Sequence, residues 1–306
     1  MSTLNLPAGI QVFERGWLSA NMILSIGKDA SALVDSGYCT HSAQTVALVA
    51  AALNERPLNL LANTHLHSDH CGGNNALQEK FPALVTLIPS GQAAHVANWN
   101  PEALTYSPTG QLCPQFRFTD TIVPGSEIML GHLKWQIHAA AGHDPHSLIF
   151  FEPIARVLIS ADALWENGFG VVFPELEGED AFDAVAATLN LIEQLAPKTV
   201  IPGHGRVFAY SPQVVERSRQ RLEAFVRNPT RHAHHAAKVL LKFKLLEVQR
   251  QKFADLSRWA LDTPYFEKVR NSFFNAIPSN VWIETLAAEL VQVGAASREG
   301  EYILNG

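Results

Sequence analysis

The segment Leu61-Ala62-Asn63-Thr64-His65-Leu66-His67-Ser68-Asp69-His70-Cys71-Gly72-Gly73 puts three imidazoles and a carboxylate into six residues directly after an apolar run. A polar loop with merely solvated histidines does not account for that spacing. His65 and His67 are two apart, so an extended backbone points both rings the same way. Asp69 and His70 follow where the chain turns toward a helix, and they face a second point nearby. Imidazole and carboxylate donors together suit zinc and its first-row neighbours. Gly72 and Gly73 permit the tight turn that the ligand loop needs.

Three later segments extend the pattern: Gly142-His143-Asp144-Pro145-His146-Ser147, Ser160-Ala161-Asp162-Ala163 and Pro202-Gly203-His204-Gly205. Each lies near the end of a predicted strand, where a rigid sheet can aim a loop residue at one spot. In isolation, His143, Asp162 or His204 would be an ordinary loop residue. Their order and their placement at strand ends favour a shared metal site.

The surrounding pattern fits that geometry. Apolar, β-branched runs predict strands at Gln11–Arg15, Met22–Ile26, Ala32–Asp35, Leu58–Asn63, Val85–Ile88, Leu133–Ala139, Ser147–Phe151, Val157–Ser160 and Thr199–Pro202. Helical spacing appears at His41–Asn54, Gly73–Phe81 and Asp180–Leu195. Strands and helices mixed in this way predict two packed sheets flanked by helices. Beyond about Tyr210 the pattern becomes helical: Ser211–Val226, His232–Gln251, Phe253–Leu261, Tyr265–Phe274 and Asn280–Val293, the last with Ser279 as its cap. A small hairpin around Arg298–Glu301 closes the chain. The sequence thus predicts two domains, 1–210 and 211–306, the second helical and winged-helix-like. Its 306 residues are ample for both.

Taken together, the ligand motifs resemble those of the metallo-β-lactamase superfamily over roughly residues 10–210. The resemblance implies an α/β fold, a four-layer αβ/βα sandwich with two divalent ions at one edge. It implies that His65, His67 and His143 bind the first ion, that Asp69, His70 and His204 bind the second, and that Asp162 bridges both. Asp35, in Val34-Asp35-Ser36-Gly37, matches the family's early buried aspartate and is expected to position the ligand loop. The implied chemistry is hydrolysis by a hydroxide shared between the ions. Asp162 and Asp69 are its catalytic carboxylates, Asp69 taking the proton. Zinc is the expected ion, with iron and manganese as alternatives.

The aspartate at position 162 resembles glyoxalase II, the lactonases and the phosphodiesterase branches. Enzymes that destroy β-lactams usually carry Cys or Ser there. Trp165, Phe169 and Phe173 follow Asp162 closely and are candidates for an apolar pocket wall, with core packing as the equal alternative. The long Ser90–Asp120 stretch is a candidate lid, with His95, Trp99 and Tyr106 on its inner face. The layout from Trp165 to Leu195, with the C-terminal module, is also similar to the β-lactamase-like endoribonucleases. That keeps cleavage of single-stranded RNA as a rival.

Charge weighs the rivals. Residues 1–210 carry 9 Lys and Arg against 19 Asp and Glu, and residues 211–306 carry 14 against 10. Residues 216–252 concentrate ten cations against three anions, which commonly means a solvated helix and only sometimes a phosphate contact. The helix that would enter a groove, Asn280–Val293, has Glu284 and Glu289 and no cation, the wrong sign for phosphates. A small ester, thioester or lactone is therefore expected ahead of nucleic acid. Non-hydrolytic diiron or scaffold members form a third class. Scaffold members have lost metal ligands, and none is lost here. Redox members usually carry a carboxylate in place of a ligand histidine, together with a flavin domain; neither is apparent in this chain.

Three cysteines, Cys39, Cys71 and Cys113, give no disulfide framework, and Cys71 reads as a small packing residue. No run reaches membrane-spanning length and the first residues lack a signal-peptide pattern, so a cytoplasmic protein without membrane attachment is expected. The apolar content of Val239–Leu246 and Trp282–Val293 suits packing, including a homodimer through the C-terminal domain.

Overall fold

The structure is a computed structural model and describes residues 6–306. It divides into two compact units. One comprises the residues up to Leu104 with Leu112–Glu223, and the other comprises Thr105–Gln111 with Ala224–Gly306.

The first unit is built on two six-stranded sheets. In the first sheet β1 (Ile10–Phe13), β2 (Met22–Ile26), β3 (Ser31–Val34), β4 (Leu60–Ala62), β5 (Val85–Pro89) and β6 (Asp120–Ile122) lie in chain order. The pairs β1–β2 and β2–β3 are antiparallel, and β3 through β6 run parallel. The second sheet contains β7 (Glu127–Leu130), β8 (Leu133–Ala139), β9 (Leu148–Glu152), β10 (Val157–Ala161), β11 (Thr199–Pro202) and β12 (Phe208–Ala209). All its pairs are antiparallel except β10–β11.

Strand alternation explains the layering. Ile23, Val34 and Ala62 from the first sheet share one core with Trp135, Ile137, Phe150, Ile159 and Ile201 from the second. Their chain neighbours Met22, Leu24, Leu33 and Leu61 point the other way, into a core with Val49 and Leu53 of the helix Ser42–Leu53 and Leu77 of the helix Asn74–Lys80. Both faces of these strands are therefore dry, which is why β2 and β3 are mostly apolar, with only Ser25 and Ser31 as exceptions. Each fully buried Leu- or Phe-sized side chain contributes roughly 2 kcal/mol.

The second unit has a helix Pro229–Val248, β13 (Arg250–Lys252), helices Phe253–Asp262, Pro264–Phe273 and Ser279–Gln292, and the hairpin β14 (Ala296–Glu299) and β15 (Tyr302–Asn305). The hairpin pairs with β13 in a three-stranded antiparallel sheet, with β15 at its centre. The long helix starts at Asn228, whose side chain accepts the Arg231 N–H, with Pro229 in its first turn. Trp282 stacks on Phe274 with ring centroids 5.2 Å apart. Ser279 is the first helical residue and makes no capping bond; Pro278 occupies the cap. The Ser90–Asp120 stretch is less irregular than its sequence suggests, since it holds helices Ala93–Ala97 and Tyr106–Thr109. Among the described residues, no helix is long and apolar enough to cross a membrane.

Candidate metal centre

Four strand ends build the site. His65 and His67 follow β4, and Asp69 and His70 lie on the one-turn helix Ser68–Cys71 behind them. His143 lies between β8 and β9, Asp162 follows β10, and His204 follows β11. A register shift between Ile159 and Ala161, with Ala161 at φ +45°, turns Asp162 out of its strand. The backbone crowds in around these ligands. A Cβ on Gly203 would come within 2.2 Å of Asp162 Oδ1, and one on Gly170 within 2.5 Å of His143 Nδ1.

The seven side chains fall into two groups. His65, His67 and His143 form one, and Asp69, His70, Asp162 and His204 the other; in each, the ligand atoms lie within 4.8 Å of one another. Asp162 joins them. Its Oδ2 is 3.3 Å from His143 Nε2 and its Oδ1 3.5 Å from His70 Nε2. His67 Nδ1 lies 2.8 Å from His143 Nε2, and His204 Nε2 lies 3.0 Å from Asp69 Oδ2.

These residues fit divalent cations. Buried ring nitrogens normally have a partner, yet His65 Nε2 and His70 Nε2 are buried with none. Two of the far nitrogens, by contrast, are held. His143 Nδ1 donates to the Val171 carbonyl at 2.5 Å, and His70 Nδ1 meets Asp35 Oδ2 at 2.8 Å. Asp35 also accepts the Thr64 N–H at 2.9 Å and the Thr64 hydroxyl at 2.8 Å, so one buried carboxylate fixes both the loop and a ligand ring. Fixing the outer nitrogen leaves the inner one for a metal.

Electrostatics agree with this assignment. Burial, reinforced by neighbouring imidazoles, holds His65 well below its ordinary pKa and brings His67 down to about 4. Both are neutral donors at physiological pH. Burial disfavours charge on His70 too, but Asp35, Asp162 and Asp69 outweigh it and raise its pKa well above the usual value. Burial opposes ionisation of Asp162, yet His204, His70 and His143 hold it well below the carboxylate range. Five rings around two anions are a donor set arranged for added positive charge.

The aromatic candidates separate. Trp165 donates its indole N–H to Asp162 Oδ1 at 3.2 Å. Phe173 packs edge-on to His67, with centroids 5.5 Å apart. Phe169 is 1% exposed, with Arg221 over its ring, and lines a small cavity together with His143 and Asp162. Trp99 packs on Phe116, His95 is half-buried on the helix Ala93–Ala97, and Tyr106 is buried in the second unit.

Two further residues escaped the sequence reading. Trp17, in the β1–β2 loop, stacks on His204 at 5.3 Å and 10° while remaining 54% exposed. Asp144 is buried with its Oδ2 3.8 Å from His67 Nε2. The only sequence signal for Asp144 was its position next to His143. Trp17 had none.

An αβ/βα sandwich that aims histidines and aspartates from four strand ends into two adjoining clusters defines a class of dinuclear metal proteins. The model of the Metallo-beta-lactamase superfamily matches residues 15–204, and the chain belongs to that superfamily. A hydroxyacylglutathione hydrolase from Idiomarina loihiensis is 26% identical over 199 residues, 65% of this chain and 62% of the relative. The enzyme of the same name from Brucella ovis is 29% identical over 127 residues, 41% of this chain and 42% of the relative. The matches thus span less than two thirds of these relatives. A metallo-beta-lactamase family protein from Thermus thermophilus shares the fold over 98% of this chain and 99% of its own, with a TM-score of 0.57 at 19% identity.

Proposed function

We propose that this chain is a binuclear metallohydrolase acting on a small ester, thioester or lactone, with zinc as its ion. The observation that carries the reading is the pair of clusters joined by the buried Asp162. His65, His67 and His143 would hold one cation, Asp69, His70 and His204 the other, and Asp162 both. Bound there, the cations would supply Lewis acidity and an acidified water as nucleophile.

The chain's own groups supply the rest. Trp165 orients Asp162 through its indole N–H, and Asp35 orients His70. Asp69 is the most exposed of the seven apart from His67, each 14% exposed at the side chain, so its carboxylate is placed to accept a proton from the attacking water. The site offers no serine or cysteine among its ligands, and no covalent enzyme intermediate is required.

Aromatic rings flank the site on both sides, Trp17 and Trp165 beside His204 and Phe173 beside His67 and His143. Such a rim favours an acyl substrate over an RNA backbone, which calls for cations. The relatives' name favours a thioester within the ester class. We read the C-terminal unit as a winged-helix-like module that serves packing, including a homodimer contact, rather than base reading.

A panel of acyl thioesters, lactones, phosphodiesters and short RNAs against metal-loaded protein tests the proposal, with metal content measured alongside. Turnover of thioesters or lactones at least tenfold above phosphodiesters is expected. Cleavage of RNA alone would overturn it.

A further inference from the structure

Cys71 ends the short helix that carries Asp69 and His70, and its sulfur lies 3.8 Å from the sulfur of Cys113. We propose that these two thiols form a redox modification site, joined by an oxidant of the peroxide class into a reversible disulfide that fastens residues 112–118 to the ligand-bearing helix.

The two partners differ in freedom. Cys71 is fully buried, and its Sγ donates to the Leu66 and His67 carbonyls. The backbone just beyond it is closely packed: Gly72 N donates to Ser68 O at 2.9 Å, and a Cβ at Gly72 would come within 2.5 Å of Ser68 O and 2.6 Å of Cys39 N. Cys113 is half-buried in a stretch, residues 111–118, outside any helix or strand. That stretch is held by side chains instead of a strand ladder. Asn75 donates to Gln115 O, Gln78 accepts from Arg117 N, and Tyr38 accepts from Leu112 N. Closing from 3.8 Å to a bond of about 2.05 Å is therefore taken up at Cys113, and Asp69 and His70 stay where they are.

The chemistry balances. The exposed edge of Cys113 admits the peroxide; its sulfur takes one oxygen as the O–O bond breaks, giving a sulfenic acid and one water. The Cys71 sulfur then displaces that oxygen as a second water and the S–S bond forms. Two thiols lose two electrons and two protons, and one peroxide becomes two waters. Cys39 is the competing thiol, since its Sγ reaches Leu112 O at 3.3 Å.

The full chain with its metal complement is treated with a few equivalents of hydrogen peroxide and then with dithiothreitol. Titratable thiols, measured after denaturation, should fall from three to one and return to three. Peptide mapping should join the peptides of Cys71 and Cys113 with a loss of two hydrogens. The oxidised form should unfold about 5 °C higher, because the bridge closes a loop of some 40 residues. Amide exchange over 112–118 should slow at least tenfold while metal content is unchanged. Cys39→Ser should behave like the parent, and Cys113→Ser should form no bridge. A bridge to Cys39, three surviving thiols, a single cysteine oxidised to sulfinic acid, or an unchanged midpoint would each overturn the proposal.

Discussion

Asp35→Asn changes one oxygen to an amide nitrogen and leaves the volume alone, so its effect is electronic. In the parent, Asp35 Oδ1 accepts the Thr64 backbone N–H, and Oδ2 accepts the Thr64 hydroxyl and faces His70 Nδ1. The carboxamide keeps one acceptor. A backbone N–H cannot reverse its polarity, so the oxygen must stay on Thr64 N and the new NH₂ faces His70. In its neutral, metal-binding form the imidazole can respond by moving its proton from Nδ1 to Nε2. That nitrogen faces Asp162 and Asp69, the place where a second cation would bind. Loss of the charged hydrogen bond costs about 1.5–3 kcal/mol. The tautomer shift should weaken the second ion 10–100-fold, about 1.4–2.7 kcal/mol. The first ion, on His65, His67 and His143, should change by less than about threefold. Competition against a chromophoric chelator resolves the two affinities, and a thermal melt should fall by about 3–10 °C. If both affinities stay at parental values, or both weaken alike, the buried carboxylate does not act through His70.

Three further substitutions probe the site directly. His67→Ala should abolish hydrolysis in a chain that stays folded by circular dichroism, because the first cluster loses one of three donors; full activity with verified metal content contradicts the assignment. Asp162→Ala should lower metal content at both positions, and two ions retained per chain through dialysis would rule out a shared carboxylate. Trp17→Ala should raise KM at least fivefold for esters of long acyl chains, with acetyl esters nearly unaffected, since an exposed ring stacked on His204 is placed to cover apolar substrate. A chain-length profile identical to the parent's would remove Trp17 from recognition.

Much of this architecture could be read from side-chain periodicity. Met22–Ile26, Leu133–Ala139 and Thr199–Pro202 were predicted residue for residue. In β8 the alternation of Trp135 and Ile137 with Lys134 and Gln136 marks one dry face, and in β2 and β11 burial on both faces leaves a mostly apolar run, interrupted only by Ser25 and Thr199. Strands that owe their state to a partner were not legible. Arg250–Lys252 has no apolar residue, and it is a strand because Tyr302, Ile303 and Leu304 lie opposite it. Asp120–Ile122 and Phe208–Ala209 are too short to show a period. The seven candidate ligands stood out through rare residue types near strand ends, and the structure gathers them into two clusters. Trp17 did not, because its place over His204 depends on how the β1–β2 loop folds across the sheet edge.

The two clusters should also differ in how they compete with protons. His65 and His67 are depressed by burial and by neighbouring imidazoles, His65 well below its ordinary value and His67 to about 4, so both are neutral donors near neutral pH. In the second cluster, Asp69 and Asp162 are held below their ordinary range and stay anionic. His70 is the exception. Burial alone would keep it neutral, but Asp35, Asp162 and Asp69 raise its pKa well above the ordinary histidine value. The sign follows directly: below that raised pKa the ring holds two protons, and a cation must expel the one on Nε2 before it can bind. Affinity at the second cluster should therefore climb with pH, by up to tenfold per unit, for as long as the pH lies below that raised pKa. Affinity at the first should show a clearly shallower slope. Chelator competition at pH 6, 7 and 8, with calorimetry in buffers of different ionisation enthalpy, should find one more proton released with the second ion than with the first. Equal slopes for the two ions would mean that the carboxylates around His70 do not hold its proton, and that the contrast between the clusters is not electrostatic.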